Sequence, residues 1–133
     1  MESSVEKDFI KAAKNGDAGK IKELLQLNPN LIHFRDQDEC TALHYASWKG
    51  HAEAAGVLLD TGADVNARNK NGHWGPTALH AAAHGNQNAV AELLIARGAD
   101  VNALDEAGNT PLFHTTIHNA TAARKVLIKH GAT

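Results

Sequence analysis

The sequence predicts an all-α fold, a solenoid of stacked helix–turn–helix units, because two short motifs recur in one register. The tetrapeptide Thr-Ala-Leu-His at 41–44 returns at 77–80 and, as Thr-Pro-Leu-Phe, at 110–113. The hexapeptide Gly-Ala-Asp-Val-Asn-Ala at 62–67 returns at 98–103. A period between about 20 and 50 residues is typical of repeat proteins, in which each unit buries its apolar face against the next.

A degenerate copy precedes the clear ones, because five residues stand 34 positions before their counterparts in the next copy. These are Phe9, Ala12, Gly16, Leu24 and Leu25. We therefore divide the single domain of 133 residues into four copies, at about 5–35, 36–68, 69–104 and 105–133. The interval between the motifs that begin at 41 and 77 is longer than the interval between those at 77 and 110. Three extra residues at 72–74 explain the difference, and we expect them in a connector outside the packed helices.

Within each copy, the residues predict two helices joined by a tight turn. Thr41, Thr77 and Thr110 each precede a short apolar run, so their hydroxyls are expected to cap the first helices. A left-handed residue that reverses the chain is expected after each first helix. The residues in these slots are Gly16, Gly50, Asn86 and Asn119. The second helices carry aliphatic pairs assigned to the core, namely Leu24-Leu25, Leu58-Leu59, Leu94-Ile95 and Leu127-Ile128.

Composition limits the compartments and partners that we expect. There are 13 basic and 15 acidic residues and a formal net charge of −2, so no field that attracts nucleic acid or an anionic membrane is predicted. Cys40 is the single cysteine and cannot form an internal disulfide. The first residues lack a signal peptide, and no apolar stretch reaches the roughly 20 residues of a membrane span. We expect a cytoplasmic, soluble monomer with no nucleic-acid or membrane partner.

The motifs, the Gly or Asn junctions and the aliphatic pairs, taken in this order, resemble the ankyrin repeat over about residues 5–133. The resemblance implies L-shaped units whose helix pairs stack in a row and whose connectors project as hairpin turns. It also implies a concave groove, formed by turns and first helices, in which a partner protein binds. The function implied is that of a protein–protein interaction module acting as an adaptor, scaffold or inhibitor.

Two residues depart from the family pattern. Glu39 stands at the turn position that Gly75 and Gly108 fill in later copies, so we expect a side chain at positive φ there, at a cost of about 1–2 kcal/mol. Phe113 replaces the motif histidine in the last copy. This replacement removes a hydrogen-bond donor where this chain has no following copy.

The resemblance places partner binding at positions that vary between copies, on turn tips and on the exposed face of the first helices. The nine residues that we predict there are Tyr45, Trp48, Lys49, His73, Trp74, His84, His114, Ile117 and His118. Trp48, Trp74 and Tyr45 are the expected anchors, because Trp and Tyr are enriched among interface hot spots. The alternative for Trp48 is that it packs across the junction onto the next first helix.

Nine histidines raise a second hypothesis, a small-molecule or metal-binding repeat protein that uses groove histidines. His80 with His84, and His114 with His118, have i, i+4 spacing, which places two imidazoles on one helical face. No acidic or thiolate ligand accompanies either pair, so we predict no metal site and no cofactor. A milder alternative is a groove that gains positive charge as its histidines protonate near their ordinary pKa of about 6.5.

Residue patterns typical of enzymes do not occur in the sequence. It has no phosphate-binding Gly-rich loop with a Lys, no His-Glu-x-x-His and no Cys-x-x-Cys. Cys40 stands beside Asp36 and Asp38, which disfavour its thiolate. We therefore predict no catalytic residue and no enzymatic activity.

Asn66 and Asn102 each stand eight residues after a leucine. This pattern resembles the one on which some animal ankyrin repeats are hydroxylated at asparagine. The competing interpretation is that asparagine is simply a favoured turn residue.

Overall fold

The computed structural model describes residues 3–133, which form eight α-helices and one short 3₁₀ helix and contain no strand. The helices are α1 (Ser4–Asn15), α2 (Ala18–Leu27), α3 (Ala42–Lys49), α4 (Ala52–Asp60), α5 (Ala78–His84), α6 (Asn88–Ala96), α7 (Pro111–Ile117) and α8 (Thr121–Lys129). The 3₁₀ helix, Pro29–His33, follows α2. None of these described helices has the length and apolar composition needed to cross a bilayer. The predicted all-α solenoid of helical pairs is confirmed.

The four pairs stack so that equivalent helices form two rows. The first helices, α1, α3, α5 and α7, pack on one another in chain order, and the second helices, α2, α4, α6 and α8, form the other row. The largest apolar side chains that both rows bury completely are Phe9, Ile21, Leu43, Leu58, Leu79, Leu94 and Leu127. The first helices lie closer together than the second ones, since many of their buried residues are alanines. The stack therefore curves toward the first row.

The repeated threonines cap the first helices, as predicted. Thr41 Oγ1 accepts the backbone N–H of His44 at 3.4 Å, and Nδ1 of His44 accepts the N–H of Thr41 at 3.0 Å. The Nε2–H of this ring donates to the carbonyls of Ala67 and Pro76 at 3.0 and 2.9 Å. Those two carbonyls flank the next connector. His44 is therefore a neutral side chain that fastens one copy to the next.

His80 makes the same kind of link one copy later. Its Nε2–H donates to the carbonyl of Asn109 at 3.1 Å, and its Nδ1 lies 2.7 Å from the hydroxyl oxygen of Thr77. Phe113 occupies the equivalent place in α7 and is 44% exposed. The motif histidine is thus replaced in the one copy that has no following connector in this chain.

Left-handed residues reverse the chain after each first helix, as predicted. The φ angles are 70° at Gly16, 78° at Gly50, 57° at Asn86 and 52° at Asn119. Gly50 is needed for a second reason, because a Cβ there would lie 2.1 Å from Oε1 of Gln87. Gln87 Nε2 donates to the carbonyl of Trp48 at 3.1 Å. A side chain at residue 50 would displace this contact between neighbouring copies.

The last connector is a hairpin built on Asp105. Its Oδ1 accepts the backbone N–H groups of Ala107 and Asn109 at 2.9 and 2.8 Å. Gly108 takes the left-handed conformation, with φ 82°. The carboxylate therefore satisfies backbone donors that the tight turn leaves without partners.

The connector before α3 repeats this geometry with a different residue at the left-handed position. Asp36 Oδ1 accepts the N–H groups of Asp38 and Cys40 at 3.0 and 2.9 Å, and Glu39 has φ 60°. Its side chain forms an exposed ion pair with Lys70 at 2.9 Å. The predicted positive φ at Glu39 is confirmed, and the turn keeps the hydrogen bonds of the glycine version.

Asn66 and Asn102 link successive turns. Asn66 Nδ2 donates to the carbonyl of Gly98 at 3.1 Å, and its Oδ1 accepts the N–H of Asp100 at 2.9 Å. Asn102 Oδ1 accepts the N–H of Thr133 at 3.1 Å. Both side chains therefore have a structural role as turn residues, which is the interpretation that competes with hydroxylation.

The aliphatic pairs of the second helices form the core with one exception. Leu24, Leu25, Leu58, Leu94 and Leu127 are buried, and Leu59 and Ile95 are partly buried against the core. Ile128 is 52% exposed. The core assignment is wrong for Ile128, because no further helical pair of this chain covers that side of α8.

Buried neutral histidines predict a loss of stability in mild acid. Burial, ahead of every other influence, lowers the pKa of His80 from 6.5 to about 4, and it also lowers the pKa of His44. The unfolded chain binds these protons near the ordinary pKa, so acid favours unfolding once the pH falls below about 6.5. From His80 alone we expect the free energy of unfolding to fall by about 2 kcal/mol between pH 7 and pH 5. Urea denaturation followed by circular dichroism measures this difference.

A variant without the titrating ring provides the control. His80→Gln keeps a side-chain donor but cannot titrate, so its stability should fall less between the two pH values than that of the wild type. His33 is exposed, and His33→Gln should keep the wild-type dependence. Equal pH dependence in the wild type and in His80→Gln would contradict the assignment.

Relief of the left-handed strain at Glu39 should stabilise the protein. We expect Glu39→Gly to raise the free energy of unfolding by about 1 kcal/mol, since the lost surface ion pair and the greater freedom of the unfolded chain offset part of the gain. Lys70→Gln removes only the ion pair and should change stability by less than about 0.5 kcal/mol. Urea denaturation at pH 7 measures both variants. A Glu39→Gly protein no more stable than the wild type would show that the turn holds no strain.

Candidate functional site

The predicted binding residues lie on the row of first helices and on the connector of residues 72–74. We call the surface that they form the candidate groove, and its nine residues are Tyr45, Trp48, Lys49, His73, Trp74, His84, His114, Ile117 and His118. Trp48, His84 and Ile117 occupy equivalent positions at the ends of α3, α5 and α7. Because these helices are neighbours, the three residues follow one another along the row.

An aromatic cluster occupies one half of the candidate groove. The ring of Trp74 stacks on that of Trp48, with centroids 5.1 Å apart and an interplanar angle of 20°. The other aromatic neighbour of Trp74 is Tyr45. The centroids of these two rings are 5.4 Å apart, and the interplanar angle is 80°. Such pairs contribute about 0.5–1.5 kcal/mol each beyond the burial of area. They attach the three-residue insertion to α3.

Two of the expected anchors are buried. Trp74 is 4% and Tyr45 is 9% exposed, whereas Trp48 is partly exposed. The expectation that the insertion lies outside the packed helices is wrong for Trp74, because its indole packs against both aromatic residues of α3. Tyr45 and Trp48 stand one helical turn apart and the insertion brings a third aromatic residue, but the sequence does not show that the connector returns this residue onto α3.

Hydrogen bonding and burial make the polar groups beside this cluster unreactive. The hydroxyl of Tyr45 donates to Oδ2 of Asp36, and burial, followed by this bond, raises the pKa of the phenol. Burial and then the charge of Asp36 raise the pKa of the Cys40 thiol to about 12. Cys40 is therefore a poor nucleophile, with burial as a larger cause than the acidic neighbours from which this was predicted.

Two ammonium groups lie over the aromatic cluster. Nζ of Lys49 is 4.8 Å from the ring centroid of Trp48, and Nζ of Lys14 is 4.7 Å from that of Tyr45. Lys14 was not among the nine predicted residues. Its position 34 residues before Trp48 was the signal for it, because that offset makes the two residues equivalent in neighbouring copies.

Three histidines converge in the other half, where α5 meets α7. The rings of His84 and His118 have centroids 3.9 Å apart and an interplanar angle of 56°. One ring nitrogen of each of His84, His114 and His118 lies within 4.8 Å of the others. The i, i+4 pair of α7 is thus joined by one histidine of α5. His80, the expected partner of His84, instead bonds to the last connector.

A carboxylate supports the innermost of these histidines. His114 is buried, and its Nε2–H donates to Oδ2 of Asp105 at 2.9 Å. Burial raises the pKa of Asp105, but hydrogen bonds from the N–H of Asn109, from His114 and from the N–H of Ala107 outweigh it and lower the pKa to about 2. Asp105 is therefore ionised at neutral pH. Among the described residues, the possible ligands in this cluster are the three histidines, and Asp105, which the hairpin returns from nine positions away, acts on them through its hydrogen bond to His114.

The surroundings of His84 disfavour its protonation. Burial first, and then the charges of His118, His114 and His73, lower the pKa of His84. His84 therefore protonates at a lower pH than a histidine in water. As the pH falls, His84 therefore adds its positive charge to the groove at a lower pH than the hypothesis of histidine protonation near pKa 6.5 assumed.

The hydroxyl groups that lie beside histidine rings, those of Thr41 and Thr77, cap the helices that follow them. In residues 3–133 no hydrogen bond joins a serine or Cys40 to a histidine. Ser3 caps α1, and the buried Oγ of Ser47 has no hydrogen-bond partner in that part of the chain. Activation of an oxygen or sulfur nucleophile needs such a pairing.

Comparison with known families gives one match that covers almost the whole chain. A family model described as ankyrin repeats (3 copies) matches residues 9–69 and again 67–133. The match extends over all four helical pairs, including the degenerate first one.

Relatives with curated descriptions align with about half of the chain. The protein is 43% identical over 58 residues to the serine/threonine-protein kinase VIK of Arabidopsis thaliana. The aligned stretch covers 44% of this chain and 13% of the kinase. It is 39% identical over 64 residues to the 26S proteasome non-ATPase regulatory subunit 10 of Rattus norvegicus, 48% of this chain and 27% of the subunit. It is 36% identical over 71 residues to the human ankyrin repeat domain-containing protein 49, 50% of this chain and 30% of that protein.

The aromatic cluster should contribute to stability through Trp74 more than through Trp48. Trp74→Ala removes a buried indole and should lower the free energy of unfolding by about 3 kcal/mol or more. Trp48→Ala removes a partly exposed ring and should cost roughly 1 kcal/mol. Urea denaturation of both variants at pH 7 compares them. A cost for Trp74→Ala no larger than that for Trp48→Ala would contradict the packing described.

Proposed function

The chain belongs to the ankyrin-repeat family, and we propose that it docks a partner protein in the candidate groove as an adaptor, scaffold or inhibitor. Ankyrin repeats generally mediate protein–protein interaction, and the repeat itself is generally not enzymatic. The observation that carries the proposal is the row of Trp48, His84 and Ile117, which keep exposed surface on three neighbouring first helices.

The chemistry of this row suits a protein partner. Trp48 combines a large apolar face with an indole N–H donor, and its stacking on Trp74 holds it in one orientation. Ile117 is 55% exposed, so contact with a partner would remove apolar area from water. An aromatic anchor with apolar and polar neighbours is the composition found at interface hot spots.

The groove is preorganised by hydrogen bonds that cross between copies. His44 and His80 fasten the connectors, and Gln87 fastens the end of α3 to the next copy. A partner that binds such a surface pays little conformational entropy for ordering it. This favours docking of a folded surface or a peptide on the groove as it stands.

The nine residues divide into two roles in this proposal. Those with exposed surface contact the partner, and they are Trp48, Lys49, His73, His84, Ile117 and His118. The buried residues Tyr45, Trp74 and His114 act through them. Trp74 stacks on Trp48, Tyr45 packs against Trp74, and His114 lies beside His84 and His118. We also propose that the chain acts as a monomer in the cytoplasm, where its free, buried Cys40 would remain reduced.

The relatives place ankyrin repeats in very different proteins. A kinase and a proteasome regulatory subunit share this stretch, which makes up only 13% and 27% of their lengths. Their activities therefore belong to those whole proteins. What we carry to this chain is the binding role of the shared repeats.

A matched pair of isoleucines tests the binding surface. Ile117 lies on the first-helix row and Ile128 on the second, and their exposures are 55% and 52%. With a partner identified by affinity capture, Ile117→Ala and Trp48→Ala should each weaken the dissociation constant about tenfold, as measured by calorimetry. Ile128→Ala should leave it within about twofold of the wild type.

Two results would refute this assignment. One is unchanged affinity for both Ile117→Ala and Trp48→Ala proteins that circular dichroism shows to be folded. The other is a loss of affinity for Ile128→Ala as large as that for Ile117→Ala, which would place the partner on the second row or on both rows.

A further inference from the structure

The histidine cluster where α5 meets α7 has features that protein binding does not explain. His114 and His118 come from α7 and the residue that ends it, and His84 is the last residue of α5. One nitrogen from each ring lies within 4.8 Å of the other two. Three imidazole rings from two adjacent copies thus lie close together.

The orientation of His114 determines which of its nitrogens is free. Asp105 is an ionised carboxylate and can only accept, so Nε2 of His114 must carry the hydrogen in the 2.9 Å bond between them. In the neutral ring the lone pair is then on Nδ1. Metal-bound histidines typically donate their second N–H to a carboxylate in this way, which fixes the ring and increases the basicity of the ligating nitrogen.

Two ring nitrogens of the cluster are buried and have no hydrogen-bond partner in the described part of the chain. These are Nδ1 of His84 and Nδ1 of His114. Leaving a buried polar atom unsatisfied is unfavourable, and native proteins do so rarely. Both rings belong to the cluster of three histidines, and a cation bound there would take a lone pair from a nitrogen of each ring.

We propose that His84, His114 and His118 form a binding site for a divalent zinc ion that joins the third copy to the fourth. Imidazole nitrogen is a preferred ligand of Zn²⁺, whereas Mg²⁺ and Ca²⁺ prefer oxygen. Asp105 supports the site by holding His114. Protein binding in the candidate groove neither requires this site nor excludes it.

Only a small rearrangement is needed to close the site around the ion. Zn–N distances near 2.1 Å in a tetrahedral site place the ligand nitrogens about 3.4 Å apart. Rotation of the side chains of His84 and His118, which are partly and largely exposed, supplies the contraction. His114 is already fixed by Asp105 and serves as the reference ligand.

Three protein ligands leave the fourth tetrahedral position open. Water occupies such a position in other zinc sites with three histidines. The nearby His73 lies in the exposed part of the insertion and contributes to the electrostatics of His84.

Zinc titration of the chelator-treated full chain tests the proposal. Calorimetry should show one ion bound per chain, and Co²⁺ used as a substitute should give the visible absorption bands of a tetrahedral site. Saturating Zn²⁺ should raise the melting temperature by about 5 °C or more, since the ion binds the folded state. An equal excess of Mg²⁺ should leave the melting temperature unchanged.

Single substitutions distinguish this site from the other histidines. His118→Ala alters an exposed side chain and should weaken zinc binding at least tenfold, and His84→Ala should do the same. Asp105→Asn keeps a side-chain acceptor for the connector but loses the carboxylate that holds His114, so it should weaken binding by about 10–100-fold. His33→Ala, an exposed histidine outside the cluster, should bind zinc within about twofold of the wild type.

The outcomes are decisive whether or not a partner protein is known. No stoichiometric zinc binding, or wild-type affinity in both His118→Ala and His84→Ala, would overturn the proposal. Weakening by His33→Ala equal to that by His118→Ala would also overturn it, since zinc would then bind dispersed surface histidines. None of these results bears on partner binding measured without metal.

Discussion

Burial of each helical pair against its neighbour is the interaction on which the rest of this structure depends. Leu43, Leu79 and Leu94 are fully buried only because a second pair lies beside their own. The small residues of the first helices let those helices approach closely. This produces both the curvature and the inner surface on which the candidate groove lies. Helices of seven to twelve residues, too short to be stable alone, persist in this arrangement.

Hydrogen bonds convert this apolar stacking into a fixed register. His44 and His80 bind the carbonyls of the following connector. His44 also completes the capping box of α3, and His80 lies against the threonine hydroxyl that caps α5. Both rings are buried and neutral. The same two side chains therefore fix the register of neighbouring copies and limit the pH range over which the fold is stable. Because the connectors are held at their bases, their tips tolerate change, and an insertion of three residues is accommodated without displacing α5 from the row.

Features set by local chemistry or by the repeat itself were predictable from the sequence. The threonine caps, the left-handed junctions and the strained Glu39 each depend on a few neighbouring residues and on one known backbone conformation. The burial of Trp74 and the support of His114 by Asp105 were not predictable in this way. Both depend on where a connector returns its side chains, and the repeat pattern specifies only the position of its backbone. Lys14 belongs to the first copy, and its ammonium group contributes to the site because the next copy places Tyr45 beneath it.

One position of the first helix explains why the candidate groove has two chemically different halves. The equivalent residues are Tyr45, Ala81 and His114, which lie on three successive helices and are all buried. Tyr45 provides the edge against which the indole of Trp74 packs, and His114 provides the ring that Asp105 fixes. Ala81 lies between them and has no side chain beyond Cβ, so it separates the aromatic cluster from the histidine cluster. The stack of helices thus accommodates three different side chains at one buried position, and the two halves of the candidate groove differ in chemistry because of it.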